Sequence, residues 1–165
     1  MNTEKAINII DKLLEDHFLG KGKDNYLIDF VPVTFQNDDF NDLAAYLEIH
    51  FKPDFVKKIT FIAFTIMHYY ESYVFLDNHD VEPLYPELIN KDLRHLGIEA
   101  LAKLINKIVI ENWSSINILF KNDGKLSLLR IEDGLDSYFF NLSAGTLEVA
   151  KSLVTQQGLY LKLIY

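Results

Sequence analysis

The chain has 165 residues, a net charge of −8 and no cysteine. This length is enough for one domain with a sizeable core, and the balance of 49% apolar and 24% charged residues argues against intrinsic disorder. The lack of cysteine excludes a disulfide framework, a thiol nucleophile and cysteine-ligated metal sites, and the acidic balance argues against non-specific binding to nucleic acid or to an anionic membrane.

The first third of the chain is predicted to contain two helices and one strand. Apolar residues at helical spacing predict a helix over residues 3–19, which Gly20 ends. Residues 26–35 are rich in aromatic and β-branched types and predict a strand, in which Pro32 would suit an edge position. Residues 37–51 predict a second helix with acidic residues in its first turn.

The centre of the chain is predicted to be a long buried helix that begins at Pro53. Apolar residues recur at helical spacing from Phe55 as far as Tyr73. We therefore expect residues 61–76 to belong to this one helix. A pair of strands is the alternative, and the lack of a turn signal favours the helix. An acidic loop over 77–86 follows, and then a helix or a broken pair of helices over 86–112, with Gly97 as the break.

The last third has the patterns of a sheet. Residues 115–121, 125–132 and 137–142 predict three strands, the first two joined by a tight turn at Asn122-Asp123-Gly124. A helix should begin at Ser143 or Thr146 and end near Gln157, before a final strand over 159–165. We therefore expect a single α+β domain over residues 1–165, in which a helical N-terminal two-thirds packs on a C-terminal antiparallel β-meander with one late helix.

Catalytic motifs are absent from the sequence, and we expect neither an enzyme nor a bound cofactor. Two groups of residues leave a small metal-dependent enzyme open as an alternative. His68 and Glu71 are three apart on the predicted central helix, where they could share a face. The loop that holds Asp77, His79, Asp80 and Glu82 could offer oxygen ligands to a cation. A satisfied histidine and a solvated acidic loop explain both groups more simply.

Charge is unevenly distributed along the chain. Between Asp24 and Asn90 twelve Asp/Glu oppose three Lys, a net of −9, whereas the remaining residues carry twelve acids and thirteen bases, a net of +1. The same stretch contains most of the 22 aromatic residues. Carboxylates beside aromatic anchors are typical of a surface that binds a basic protein.

Two acidic patches are the predicted partner-binding residues. The helix patch comprises Asp38, Asp39, Asp42 and Glu48, and the loop patch comprises Asp77, Asp80, Glu82, Tyr85 and Glu87. Whether the two patches lie together depends on the fold.

In its general profile the chain resembles the immunity proteins that bacteria pair with polymorphic or contact-dependent toxins. The resemblance rests on small size, acidity and a low alanine count of 8 beside 17 isoleucines and 12 asparagines, as in an AT-rich bacterial gene. It implies a cytoplasmic inhibitor without catalytic residues that binds and blocks a basic nuclease-type toxin domain. A non-catalytic subunit or a homodimer is a further alternative, because composition leaves the oligomeric state open.

Overall fold

The structure is a computed structural model that describes residues 1–35, 40–77, 79–111 and 113–164. Over these residues the chain forms five α-helices and one six-stranded antiparallel sheet, which confirms the predicted α+β class. The elements follow in the order α1 (Thr3–Phe18), β1 (Asn25–Asp29), α2 (Asn41–His50), α3 (Lys52–Tyr69), β2 (Glu71–Leu76), α4 (Ile98–Glu111), β3 (Ile116–Asn122), β4 (Lys125–Ile131), β5 (Ser137–Phe140), α5 (Ala144–Gln156) and β6 (Tyr160–Ile164).

The sheet has the strand order β2-β3-β4-β5-β1-β6. Strands β2 to β5 are adjacent in chain order, and β1 lies between β5 and β6. The predicted turn joins β3 to β4 as a two-residue hairpin loop, because Asn122 pairs directly with Lys125. Asp123 and Gly124 both have positive φ, of 49° and 79°, as a type I′ turn requires.

Helices cover both faces of the sheet. On one face, α1 packs Ala6, Ile10 and Leu14 against side chains of β2 to β5. On the other face, α3, α4 and α5 bury the main core, in which the largest fully buried side chains include Phe55, Phe120, Phe139, Ile59 and Ile62. The predicted core positions of α4 are confirmed: Leu101, Leu104, Ile105 and Ile108.

The prediction of one helix over 61–76 is wrong. Helix α3 ends at Tyr69, and residues 71–76 form β2. In β2, Val74 faces the main core and Tyr73 faces α1, so both faces of this strand are buried. A strand buried on both faces has a continuous apolar run, which is also the pattern of a buried helix. Tyr69, the last residue of α3, is 68% exposed although it lies at the helical spacing of the apolar residues.

Three other boundaries differ from the prediction. The strand predicted over 26–35 ends at Asp29 and is internal, with Pro32 beyond it. The helix predicted over 37–51 is observed from Asn41, and residues 37–39 lie outside the described residues. Over 86–112 two short 3₁₀ turns precede α4, and Gly97, with a φ of 44°, marks the predicted break.

Candidate functional site

Carboxylates gather at one end of the sheet. Strands β2, β4 and β1 finish at this end, and β3, β5 and β6 begin there, as the pairs Leu76–Ile116, Ile131–Ser137 and Asp29–Tyr160 show. In the described part of the chain, the end of β1, helix α2 and the turns and loops that meet there supply six acidic side chains, which we call the acidic end: Asp29, Glu48, Asp77, Glu132, Asp133 and Asp136.

Arg130 lies inside the acidic end. Its Nη2 donates to Oδ2 of Asp77 at 2.5 Å, and its Nε donates to Oε1 of Glu132 at 2.6 Å. Asn117 and Ser115 accept the remaining bonds, at 3.1 and 3.0 Å. Burial disfavours the charged guanidinium, but the two carboxylates outweigh this effect, so the pKa of Arg130 is raised above its usual value.

Asp29 occupies the same end of the sheet on β1. The Nζ of Lys162, on the neighbouring strand β6, lies 2.6 Å from Oδ2 of Asp29 and 2.7 Å from the carbonyl oxygen of Val33. The side chain of Lys162 is only 16% exposed, so this ammonium group is held against the protein. Its charge compensates Asp29 and leaves the neighbouring carboxylates without a cation from β6.

Asp136 stands among other carboxylates. Partial desolvation raises the pKa of Asp136 above its usual value, and four neighbouring negative charges raise it further: Glu132, Asp133, Asp29 and Glu48. Like charges placed this close favour the protonated acid or a bound cation. A positively charged group placed here would reduce the repulsion between these carboxylates.

A groove of about 420 Å³ opens beside these acids, between β1, α2 and the turn from β4 to β5. Its wall is partly apolar, with Leu27, Phe30, Phe40 and Leu47, and partly acidic, with Asp29, Glu48, Asp133 and Asp136. Among the described residues that line it there is no Lys or Arg. Such a wall suits a long side chain that ends in a cation, whose stem is apolar and whose head is charged.

The helix patch is described only in part. Asp38 and Asp39 lie outside the described residues. Asp42 is exposed in the first turn of α2. Glu48 is half-buried, lines the groove and forms an ion pair with Lys52. Of the predicted helix patch, Glu48 is thus the described member that belongs to the acidic end.

The loop patch requires one correction. Asp77 is not a surface residue: it is 6% exposed and its carboxylate is bound to Arg130. Asp80 is half-buried, whereas Glu82 and Glu87 are exposed. Tyr85 is half-buried, with the Nζ of Lys107 5.7 Å from its ring centre.

One member of each predicted patch lies at this end of the sheet: Asp77 of the loop patch and Glu48 of the helix patch. Arg130 links Asp77, at the start of the 77–87 loop, to Glu132 in the turn after β4. Asp136 in that turn lies within electrostatic reach of Glu48 on α2. The turn between β4 and β5 therefore lies between Asp77 and Glu48.

The connecting residues were missed as a site by sequence reasoning. Asp133 and Asp136 lie beside Gly134, a pattern typical of a turn, and Asp29 and Glu132 enter the sequence analysis only through the charge totals. Three acids in five positions of one turn were a visible signal. Their proximity to α2 depends on the strand order, in which β1 inserts beside β5, and no local pattern encodes that order.

The residues considered for metal binding do not converge. His68 is on α3 and its Nδ1 lies 2.8 Å from the carbonyl oxygen of Phe64, whereas Glu71 is on β2 and accepts from the hydroxyl of Tyr73. His79 pairs with Asp11 of α1 at 3.2 Å. Within the described ranges, no group of three His, Asp or Glu side chains is arranged to hold a metal ion.

No protein-family model matches this chain, and neither the curated proteins nor the solved structures compared with it include a significant match. In the part of the chain that the structure describes, no helix combines the length and the apolar composition needed to cross a bilayer.

Proposed function

We propose that this protein is an inhibitory binding module that uses the acidic end to bind a basic protein, and that it acts as an immunity protein against a nuclease-type bacterial toxin. One observation carries the proposal. Among the described residues, the acidic end brings six carboxylates together with three cations, Arg130, Lys162 and Lys52, an excess of three negative charges.

The physical basis of the proposal is electrostatic competition. A nuclease binds the phosphates of its substrate through Lys and Arg side chains. Carboxylates presented at similar density can occupy the same cationic groups and block access of the nucleic acid. A concentrated negative field also steers a basic partner and raises the association rate, which falls as salt screens the field. In the proposed complex, a partner Lys or Arg enters the groove and relieves the repulsion around Asp136.

The test begins with the gene next to that of this protein. We expect the gene immediately upstream to encode a large secreted protein with a basic C-terminal domain. That domain, produced with the immunity protein, should lose its nuclease activity on forming a 1:1 complex. Stopped-flow association at increasing salt should then give an on-rate that falls steeply. A metabolic enzyme encoded at this position, or a complex whose association is independent of salt, contradicts the proposal.

Charge-reversal variants locate the binding surface. Asp133→Lys with Asp136→Lys should slow association by roughly tenfold or more, because both residues belong to the acidic end. Glu99→Lys with Glu148→Lys is the matched control, since it changes the net charge equally but lies near the N-terminal ends of α4 and α5, towards the opposite end of the sheet. Equal slowing by both pairs assigns the effect to net charge and contradicts the surface. Reversal of Asp38, Asp39 and Asp42 together tests the helix patch in the same way.

A further inference from the structure

The outer face of α3 carries an aromatic surface that no other element of the described chain covers. Phe61 and Tyr69 are 49% and 68% exposed, and Thr65 and His68 come between them in sequence on the same face. With the half-buried Phe64 they form what we call the aromatic face, whose lining comes from α3 alone. Large apolar side chains gathered on one exposed face are typical of a surface that another chain covers.

The polar residues of the aromatic face are satisfied within α3. The hydroxyl of Thr65 donates to the carbonyl oxygen of Phe61 at 2.8 Å, and Nδ1 of His68 donates to the carbonyl oxygen of Phe64 at 2.8 Å. A partner can therefore cover this face without leaving these two donors unpaired, which would otherwise oppose its binding.

The aromatic face is free of acid in a strongly acidic protein. Residues 55–70 contain no Asp or Glu, although the chain as a whole has a net charge of −8. Two copies of such a chain repel each other wherever their carboxylates approach. An acid-free apolar helix face is therefore a place where two copies can meet with little repulsion.

The spacing of the aromatic face is self-complementary. Phe61, Thr65 and Tyr69 are four residues apart, so they form one ridge along α3 with the smallest side chain in the middle. Two helices that pack such ridges together cross at about −50°, and a small residue at the crossing lets them approach closely. If the helices are antiparallel and a two-fold axis passes through Thr65, Phe61 of each copy lies beside Tyr69 of the other. The contact then contains the same aromatic pair twice, as an isologous interface requires.

The aromatic face lies away from the acidic end. Helix α3 begins beside the acidic end, where Lys52 forms an ion pair with Glu48. Phe61 follows nine residues later, about 13 Å along the helix. A contact through the aromatic face therefore leaves both acidic ends accessible, and each copy can still bind one basic partner.

We propose that the aromatic face is the interface of a symmetric homodimer, in which two antiparallel copies of α3 cross at Thr65. The five side chains offer less than the roughly 800 Å² per partner of a standard stable interface, so the dimer dissociates at micromolar concentrations. Apolar contacts hold it together while the two net charges of −8 repel, so salt strengthens it. The proposed binding of a basic partner weakens with salt, and the two proposals can therefore fail separately.

Sedimentation velocity of the full chain between about 1 and 300 µM tests for the dimer. The monomer–dimer equilibrium should shift towards the dimer when NaCl rises from about 50 to 500 mM. Phe61→Arg with Tyr69→Arg should remain monomeric at the highest concentration. Phe18→Arg with Val81→Arg is the matched control, because it makes the same kind of change at residues outside α3 that are 80% and 98% exposed. This control should dimerise like the wild type.

A single cysteine tests the symmetry of the contact, since the chain has no native cysteine. In Thr65→Cys the two thiols face each other across the two-fold axis, where the Cα atoms should come within the roughly 7 Å that a disulfide spans. Mild oxidation should therefore convert most of this variant into a covalent dimer. Glu148→Cys, at an exposed position on α5, is the control and should form little dimer.

Every other outcome overturns the inference. A wild-type chain that stays monomeric at all concentrations leaves the aromatic face to another kind of partner. Self-association that weakens with salt assigns the contact to the acidic end and basic side chains of a second copy. Dimerisation that survives Phe61→Arg with Tyr69→Arg places the contact elsewhere, as does equal disulfide formation by Thr65→Cys and Glu148→Cys.

Discussion

Arg130 and Asp77 form a buried ion pair across 53 positions of sequence, with Nη2 of Arg130 2.5 Å from Oδ2 of Asp77. Their side chains are 12% and 7% exposed. The pair holds the loop after β2 against the end of β4. It therefore positions the acidic end and also supplies one of its carboxylates, Asp77. Two charges removed from water in this way depend on each other.

The first prediction follows from that dependence. Asp77→Asn removes one carboxylate and leaves the buried guanidinium of Arg130 with Glu132 alone, so the free energy of unfolding should fall by about 3 kcal/mol. Urea denaturation followed by circular dichroism measures the change. Glu82→Gln, an exposed neutralisation in the same loop, is the matched control and should change stability by less than about 0.5 kcal/mol. Similar losses for both variants would disprove the structural role of the pair.

A second prediction concerns the hairpin between β3 and β4. Gly124 has a φ of 79°, where an alanine is strained, so Gly124→Ala should destabilise the protein by about 1 kcal/mol. Gly145→Ala is the control because its added Cβ meets nothing closer than 3.8 Å in the first turn of α5. That variant should be neutral or slightly stabilising. Thermal unfolding of the two variants compares them, and an equal fall in Tm contradicts the assignment of a type I′ turn.

The hairpin also shows which parts of the fold a sequence can predict. Asn122-Asp123-Gly124 and the capping residue Ser143 act within a few positions, so their patterns located β3, β4 and α5 correctly. Segment 71–76 is different. Its apolar residues satisfy helical spacing, and the segment becomes a strand because β3 offers six pairing positions and helices bury both faces. Tertiary pairing overrides a local pattern that was ambiguous.

The candidate site, like the fold, could be predicted from the sequence only where it depends on local features. The concentration of acid between residues 24 and 90 was visible from composition. The burial of Asp77 was not, because its partner Arg130 comes from the near-neutral part of the chain. Asp136 and Glu48 likewise come from distant segments that meet only once β1 lies beside β5. A site built from several strand ends requires the register of the sheet, which sequence periodicity leaves open.

The third prediction is a pH dependence of stability centred on Asp136. Its pKa is raised in the folded state by desolvation and by neighbouring carboxylates. In the pH range between the usual and the raised pKa, the folded protein holds more protons than the unfolded chain, so this residue makes stability fall as pH increases. Asp136→Asn should therefore be more stable than the wild type at neutral pH, and the difference should disappear below the usual pKa of aspartate.

The midpoints of urea denaturation, measured for both proteins over a pH series, test the direction of this pH dependence. Glu148→Gln serves as the control, since the side chain of Glu148 is 77% exposed and forms an ion pair with Lys151 at 3.7 Å. It should show no comparable pH-dependent gain. A stability of Asp136→Asn that is lower than the wild type at neutral pH would mean that the charged form of Asp136 stabilises the fold, contrary to this interpretation.

The fourth prediction concerns β2, an edge strand of the sheet that is covered by Asp92 and the 3₁₀ turn Leu93–His95. Oδ1 of Asp92 accepts from the backbone N–H of Val74 and of Arg94, and Val74 is fully buried. Asp92→Ala leaves the Val74 N–H without its acceptor, which should cost about 1–3 kcal/mol of unfolding free energy and speed hydrogen exchange at Val74. Asp92→Asn keeps an acceptor oxygen and should retain part of this stability. Asp92→Ala also exposes the backbone at the edge of β2. We therefore expect this variant to aggregate more readily than Asp92→Asn, as measured by light scattering. Unchanged exchange at Val74 in Asp92→Ala would show that the covering turn alone protects this edge.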